Sequence, residues 1–191
     1  PGSLRWQDFS TIHPRIVEKR RTSVCVAPLG GLSASSVAAE GDPVEHEQRQ
    51  PLRGAMGYQT GVTAAKLSIE TLAGVIDAEV RDDTVKVRLT EPSPLKQNIP
   101  VFLEGGECGL DCIDTGVPHA VCFVASVEAC DVAGTGRQIR RHEVFRPKGT
   151  NANFALVVDR HKIRVRTYER GVEDETLACG TGVVASVLAA A

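Results

Sequence analysis

Aromatic residues are scarce in this chain: one Trp, two Tyr and five Phe make up 4% of 191 residues, so the 42% hydrophobic content that can form a core is mostly aliphatic. No charge of one sign dominates. The 22 Lys and Arg against 24 Asp and Glu leave a formal charge of −2, which argues against a nucleic-acid partner or an anionic membrane surface. No apolar run reaches the ~18 residues that a membrane-spanning helix needs. The opening residues, Pro1-Gly2-Ser3-Leu4-Arg5-Trp6, have no apolar signal-peptide core. The six cysteines are therefore expected as thiols in a reducing cytoplasm rather than as a disulfide framework. Cys108, Cys112 and Cys122, with His119 close by, would admit a zinc site. No second ligand pair has the usual close spacing, however, so no metal is expected. No repeat is visible at periods of 20–50 residues.

One stretch carries chemistry. Glu175-Thr176-Leu177-Ala178-Cys179-Gly180-Thr181-Gly182 sets a cysteine in a glycine-rich turn, and helix formers follow over 183–191. A cysteine at a helix start faces unpaired N–H groups and the positive end of the helix dipole. Both favour a thiolate, which can act as a base or nucleophile. The same N–H groups can hold a carboxylate or phosphate. The bland alternative is a buried cysteine ahead of an alanine-rich helix. Just upstream, residues 163–171 alternate apolar and polar positions, as a half-buried strand does, and end in Glu169 and Arg170. Arg can grip a carboxylate with two parallel hydrogen bonds, and Glu can accept from an ammonium group. A surface ion pair at a strand end is the other reading of these two residues.

Elsewhere the pattern predicts strands at Lys66–Thr71, 75–80 and 85–89, with a hairpin turn at Ala73-Gly74. Pro92, Pro94 and Pro100 mark a linker. Residues 120–124 read as an apolar strand and 137–144 as a short polar helix. A second hairpin pairs 153–158 with Lys162–Glu169 across Asp159-Arg160-His161. Taken alone, Asn151 and Asn153 read as turn formers and His119 as a strand-entry residue. Residues 1–58 show no sustained period, and the basic stretch 15–21 reads as solvated or disordered.

Four segments in order resemble diaminopimelate epimerase. Tyr168-Glu169-Arg170-Gly171 with the Glu175 to Gly182 stretch is similar to the family's signature. Thr115-Gly116-Val117-Pro118-His119-Ala120-Val121 is similar to its Gly-Asn-Pro-His-Ala-Val segment. Phe145-Arg146-Pro147-Lys148-Gly149-Thr150-Asn151-Ala152-Asn153-Phe154 is similar to its Phe-Pro-x-Gly-Thr-Asn-x-Asn-Phe segment. Leu67-Ser68-Ile69-Glu70-Thr71-Leu72-Ala73-Gly74 resembles the end of its first domain. The resemblance covers about residues 62–191 and implies an α+β fold, with mixed sheets wrapped around central helices in two similar domains. It implies two-thiol epimerisation of LL- and meso-diaminopimelate in lysine biosynthesis, without a cofactor, by a cytoplasmic enzyme, with a homodimer as one assembly it admits. On this resemblance Cys179 is a catalytic thiol, and His119 and Glu169 tune thiol acidity. Asn151, Glu169, Arg170, Gly180 and Thr181 bind substrate. A fixed array of donors is the physical requirement, since the charge developing on the substrate carboxylate must be stabilised.

Three departures qualify this reading. Val117 stands where many members have a substrate-binding Asn, so that contact is expected to be lost or supplied by another residue. The family continues for several strands beyond Ala191, so 101–191 is expected to be an incomplete second domain and 62–100 a remnant of the first with the linker. Residues 1–61 do not match. The family's Cys-Gly-Asn-Gly-x-Arg-Cys segment is absent, and Cys25 has neither a glycine-rich turn nor a helix after it. One choice of codons for residues 47–53, read one nucleotide later, gives Ser-Asn-Gly-Asn-Arg-Cys, so a shifted frame is one explanation of 1–61 and disorder another. With one thiol site, the chain is expected to be inactive as an epimerase. A related amino-acid racemase or a non-catalytic product are the alternatives.

Overall fold

A computed structural model describes residues 24–28, 64–71, 74–81, 84–177 and 179–191. The readings made for residues 1–61, frameshift included, lie outside them except at Val24–Pro28. The chain divides into one unit over Arg21–Glu91 and another that contains Pro92–Ala191.

The first unit holds β1 (Val24–Pro28), β2 (Lys66–Thr71), β3 (Gly74–Arg81) and β4 (Thr84–Arg88). They form an antiparallel sheet in the order β1-β4-β3-β2. Period-2 alternation buries Ile76, Ala78 and Val80 on β3 beside Val85, Val87 and Leu89, while Val75 and Asp77 face outward. The three strands read from sequence are present within a residue at each end. β1, which pairs with β4 in place of a period-free segment, was not anticipated.

The second unit is built on β5 (Lys96–Leu103), β6 (Gly106–Asp114), β7 (Pro118–Phe123), β8 (Asn151–Asp159), β9 (Lys162–Glu169) and β10 (Asp174–Thr176). The sheet keeps chain order, β10-β9-β8-β7-β6-β5. Every neighbouring pair is antiparallel except β7 and β8, which run parallel. A parallel pair needs a long crossover, and α1 (Val132–Arg141) lies in it. Asp131 caps α1 by accepting from Gly134 N at 2.9 Å, a contact worth about 1 kcal/mol. The helix expected at 137–144 thus begins earlier and ends at Arg141, where a short 3-10 turn, Glu143–Phe145, follows. Gly134 and Gly136 hid its first half from propensity. Pro100, read as linker, sits in β5. Proline is tolerated there because β5 is an edge strand. The final helix, α2 (Gly180–Ala190), starts at the glycine-rich turn as expected.

The two faces of this sheet do different work. Cys108, Leu110, Ala120, Cys122, Ala152, Phe154 and Tyr168 pack with Val132 and Ile139 of α1 in one apolar cluster. Full burial of a side chain such as Leu110 or Phe154 stabilises by about 1.5–3 kcal/mol. Alternate residues, Ile113, Val121 and Ala155, pack with Ala185 and Ala189 of α2 on the opposite face. This α+β arrangement agrees with the class read from sequence. Among the described residues no helix is long and apolar enough to cross a membrane.

Candidate active site

The α2 face of the sheet changes character along its strands. Beside the helix body it is apolar. At the helix start, β7, β8 and β9 present His119, Asn151, Asn153, Thr167 and Glu169, all buried. Polar side chains at these depths need partners, and most of those partners are one another. Asn153 Nδ2 lies 3.1 Å from His119 Nδ1 and donates to Ala120 O at 3.2 Å. Thr167 Oγ1 donates to Asn153 Oδ1 at 2.9 Å. His119 Nε2 is 3.0 Å from Thr181 Oγ1, which is 3.6 Å from Cys179 Sγ.

Cys179 is the N-cap residue of α2, 2% exposed. Its carbonyl accepts from Val183 N at 3.0 Å. The N–H groups of Gly180, Thr181 and Gly182 have no intrahelical acceptor, as at any helix start. Gly182 is required by close approach: a Cβ there would run into Asn153 Oδ1 and lie 3.1 Å from Cys179 Sγ. Gly182→Ala is expected to cost about 1–3 kcal/mol of stability through overpacking. Urea unfolding checks this, and an unchanged midpoint would show that the approach is looser.

Burial, and then the nearby Arg170 guanidinium, push His119 down to about 3 from 6.5. The ring is therefore neutral. Between those two values the unfolded chain binds a proton that the folded protein refuses, so stability rises with pH across the window. The contribution is complete above about 6.5 and is lost as pH falls toward 3. Its size is on the order of a few kcal/mol. His119→Gln should flatten this part of the pH dependence of urea unfolding; an identical profile would remove His119 as its source.

Arg170 follows β9 on a turn that is held firmly. Asn151 Oδ1 accepts from Arg170 N at 2.7 Å, and Asn151 Nδ2 donates to Pro118 O at 3.3 Å. Glu173, at φ 61°, accepts from Arg140 Nε at 2.9 Å, from Gly171 N at 3.3 Å and from Tyr168 OH at 3.4 Å. Burial opposes its charge, but the Gly171 N–H and Arg140 hold its carboxyl below the usual range. Arg170 Nη1 donates to Lys148 O at 3.3 Å, whereas Arg170 Nε is buried without a hydrogen-bond partner. A buried, unsatisfied guanidinium N–H costs free energy and fits an anion.

The structure therefore brings Cys179, Gly180, Thr181 and His119 to the helix start, with Arg170 close enough to bias His119. Asn151 clamps the Arg170 turn and Pro118 with its own amide. Glu169 is 4% exposed on the same strand face as Thr167. Val117 is buried and apolar. Sequence reasoning missed Asn153, Thr167, Gly182 and Glu173. Only the Asn-x-Asn spacing, which puts both side chains on one strand face, hinted at the first.

The remaining described cysteines lie elsewhere. Cys108 and Cys122 are buried on the α1 face with their sulfurs 3.4 Å apart. The hydrogen bond to Cys108, with burial, holds Cys122 far above the usual thiol range. Burial, with Asp111 adding to it, pushes Cys112 up to about 11. Sheet alternation separates His119 from these thiols. Among the described residues no cluster of His, Cys, Asp or Glu could hold a metal.

The structure thus sets a neutral buried imidazole and a helix-start thiol at one end of this sheet, where Arg170, with one unpartnered N–H, follows β9. Residues 112–191 match the family model described as diaminopimelate epimerase. The diaminopimelate epimerase of Aquifex aeolicus is 51% identical over 133 residues, covering 69% of this chain and 47% of that protein. That of Hydrogenobaculum sp. is 46% identical over 131 residues, covering 67% and 47%. That of Archaeoglobus fulgidus is 42% identical over 139 residues, covering 66% and 49%. Over the matched residues the chain is similar to diaminopimelate epimerases, and it spans about half the length of the curated relatives it matches. Among solved structures, a hydroxyproline epimerase from Agrobacterium vitis aligns with TM-score 0.49 and 21% identity, covering 72% of this chain and 48% of that one. A probable proline racemase from Agrobacterium radiobacter aligns with TM-score 0.46 and 19% identity, covering 61% and 42%.

Proposed function

We propose that this chain carries one thiol half of a cofactor-independent diaminopimelate epimerase site. The observation that carries this reading is Cys179 at the start of α2, on the sheet face of His119, which feels the charge of Arg170, a half-buried residue whose Nε is itself buried without a partner. A substrate carboxylate would lie against the N–H groups of Gly180 and Thr181, and Arg170 would supply positive charge. The Cys179 thiolate would take the α-hydrogen as a proton, and the bonding pair would pass into the carboxylate as an enediolate. Return of the proton from the same side restores the configuration; delivery from the opposite face by a second acid inverts it. Among the described residues Cys179 is the only cysteine at a helix start. We place the chain in the cytoplasm, where such thiols stay reduced.

The test is incubation of the 191-residue chain with LL-diaminopimelate in deuterated water. The expected result is slow exchange of the α-hydrogen without conversion to the meso form, and no exchange with proline. No exchange with diaminopimelate, or equal exchange with proline, overturns the substrate. Robust conversion to the meso form would show that another residue serves as the opposite acid.

A further inference from the structure

We propose that Asn153 is a positioning residue for the thiol: it fixes the proton on His119 and, through Thr181, turns a hydroxyl proton toward Cys179 Sγ. The inference rests on the reading of Cys179 as the acid–base group, and it assigns a role to a residue that looks from sequence like a turn former.

The argument is one of donors and acceptors. Ala120 O can only accept, so the group 3.2 Å from it must be the Asn153 amide nitrogen. The second hydrogen of that NH2 then points at His119 Nδ1, 3.1 Å away. Thr167 Oγ1 fills the remaining side of the carboxamide by donating to Oδ1 at 2.9 Å. A nitrogen that accepts cannot carry a proton, so neutral His119 holds its proton on Nε2. Nε2 therefore donates to Thr181 Oγ1 at 3.0 Å. With that lone pair taken, the Thr181 hydroxyl hydrogen is free to turn to Cys179 Sγ, 3.6 Å away and within reach of a sulfur acceptor. A donor of this kind stabilises the thiolate over the thiol. Gly182 makes the arrangement sterically feasible, because any Cβ there would displace the Asn153 carboxamide.

Titratable and charged groups on this side of the sheet are few. β7 presents His119, β9 ends in Glu169, and Arg170 follows it. On β6, Asp111 shares the face of Ile113 and accepts from Asn98 N at 2.8 Å. On β8, Asp159 lies at the exposed far end. Arg170, already felt by His119, further disfavours an imidazolium. The relay thus works with a neutral ring.

Two measurements test the assignment, and neither needs substrate, so it can fail separately from the proposed function. The first is nitrogen NMR of the labelled chain, with His119 identified by loss of its signals in His119→Gln. At neutral pH, Nδ1 should resonate as an unprotonated nitrogen and Nε2 as a protonated one. In Asn153→Asp, an acceptor-only side chain of the same shape, Nδ1 should become protonated. A wild-type Nδ1–H tautomer, or an Asn153→Asp protein with the wild-type tautomer, overturns the proposal. The second is the pH dependence of Cys179 carbamidomethylation, mapped by mass spectrometry. Restricted access of the reagent slows the reaction equally at every pH, so the midpoint still reports the acidity of the thiol. Thr181→Val should raise the midpoint by about one unit, a roughly tenfold slower reaction below it, and Thr181→Ser should restore it. An unchanged midpoint in Thr181→Val removes the relay.

Discussion

Replacing Cys179 by serine is expected to cut substrate-dependent α-hydrogen exchange by about 10²–10⁴-fold, the usual contribution of a positioned general base. A hydroxyl is a much weaker acid than a thiol, so serine almost never presents the ionised form at neutral pH. Stability should not fall with activity. Cys179 occupies an N-cap position and makes no side-chain capping bond, whereas serine is among the best N-caps, worth up to about 1 kcal/mol. A lifeless protein with an equal or higher unfolding midpoint is the expected outcome. Exchange that survives in Cys179→Ser would mean that the base lies elsewhere.

Arg170→Lys is expected to weaken diaminopimelate binding by about 1–3 kcal/mol, the range for hydrogen bonds to charged groups, or about five- to 150-fold at 1.4 kcal/mol per tenfold. The charge is kept, but the fork is not: an ammonium is a point charge, while a guanidinium meets a carboxylate with two parallel N–H groups. The turn should survive, because its anchor at Asn151 Oδ1 uses the Arg170 backbone N–H. Calorimetric titration of both proteins with LL-diaminopimelate checks the effect, and equal affinities would remove Arg170 from the site.

What could be read from sequence follows from how local the signal is. The β8–β9 hairpin announced itself through alternation and a three-residue polar turn. Cys179 announced itself through the glycines after it. β6 did not, because Gly106, Gly109 and two cysteines break its period. β10 is three residues long, below any pattern. In the site, Arg170 and Glu169 can be read together with Cys179 because they are close to it in the chain. The Asn153–His119–Thr181 contacts join three distant segments through the parallel β7–β8 pairing, and nothing local encodes that register. The same pairing sets Asn151 where its amide ties the Arg170 turn to Pro118 O.

The strict alternation along β8 also sets how this gene can change. Asn151 and Asn153 face α2, while Ala152 and Phe154 fill the α1 core. Adding or deleting a single codon before this strand's inner residues would exchange the two sets at a stroke, driving Phe154 into the polar wall and both amides into hydrocarbon. Point substitutions can tune this half-site by degrees. Length changes cannot, so indels in its lineage should be confined to turns such as Arg160-His161, where the chain is exposed and pairs with nothing across the sheet.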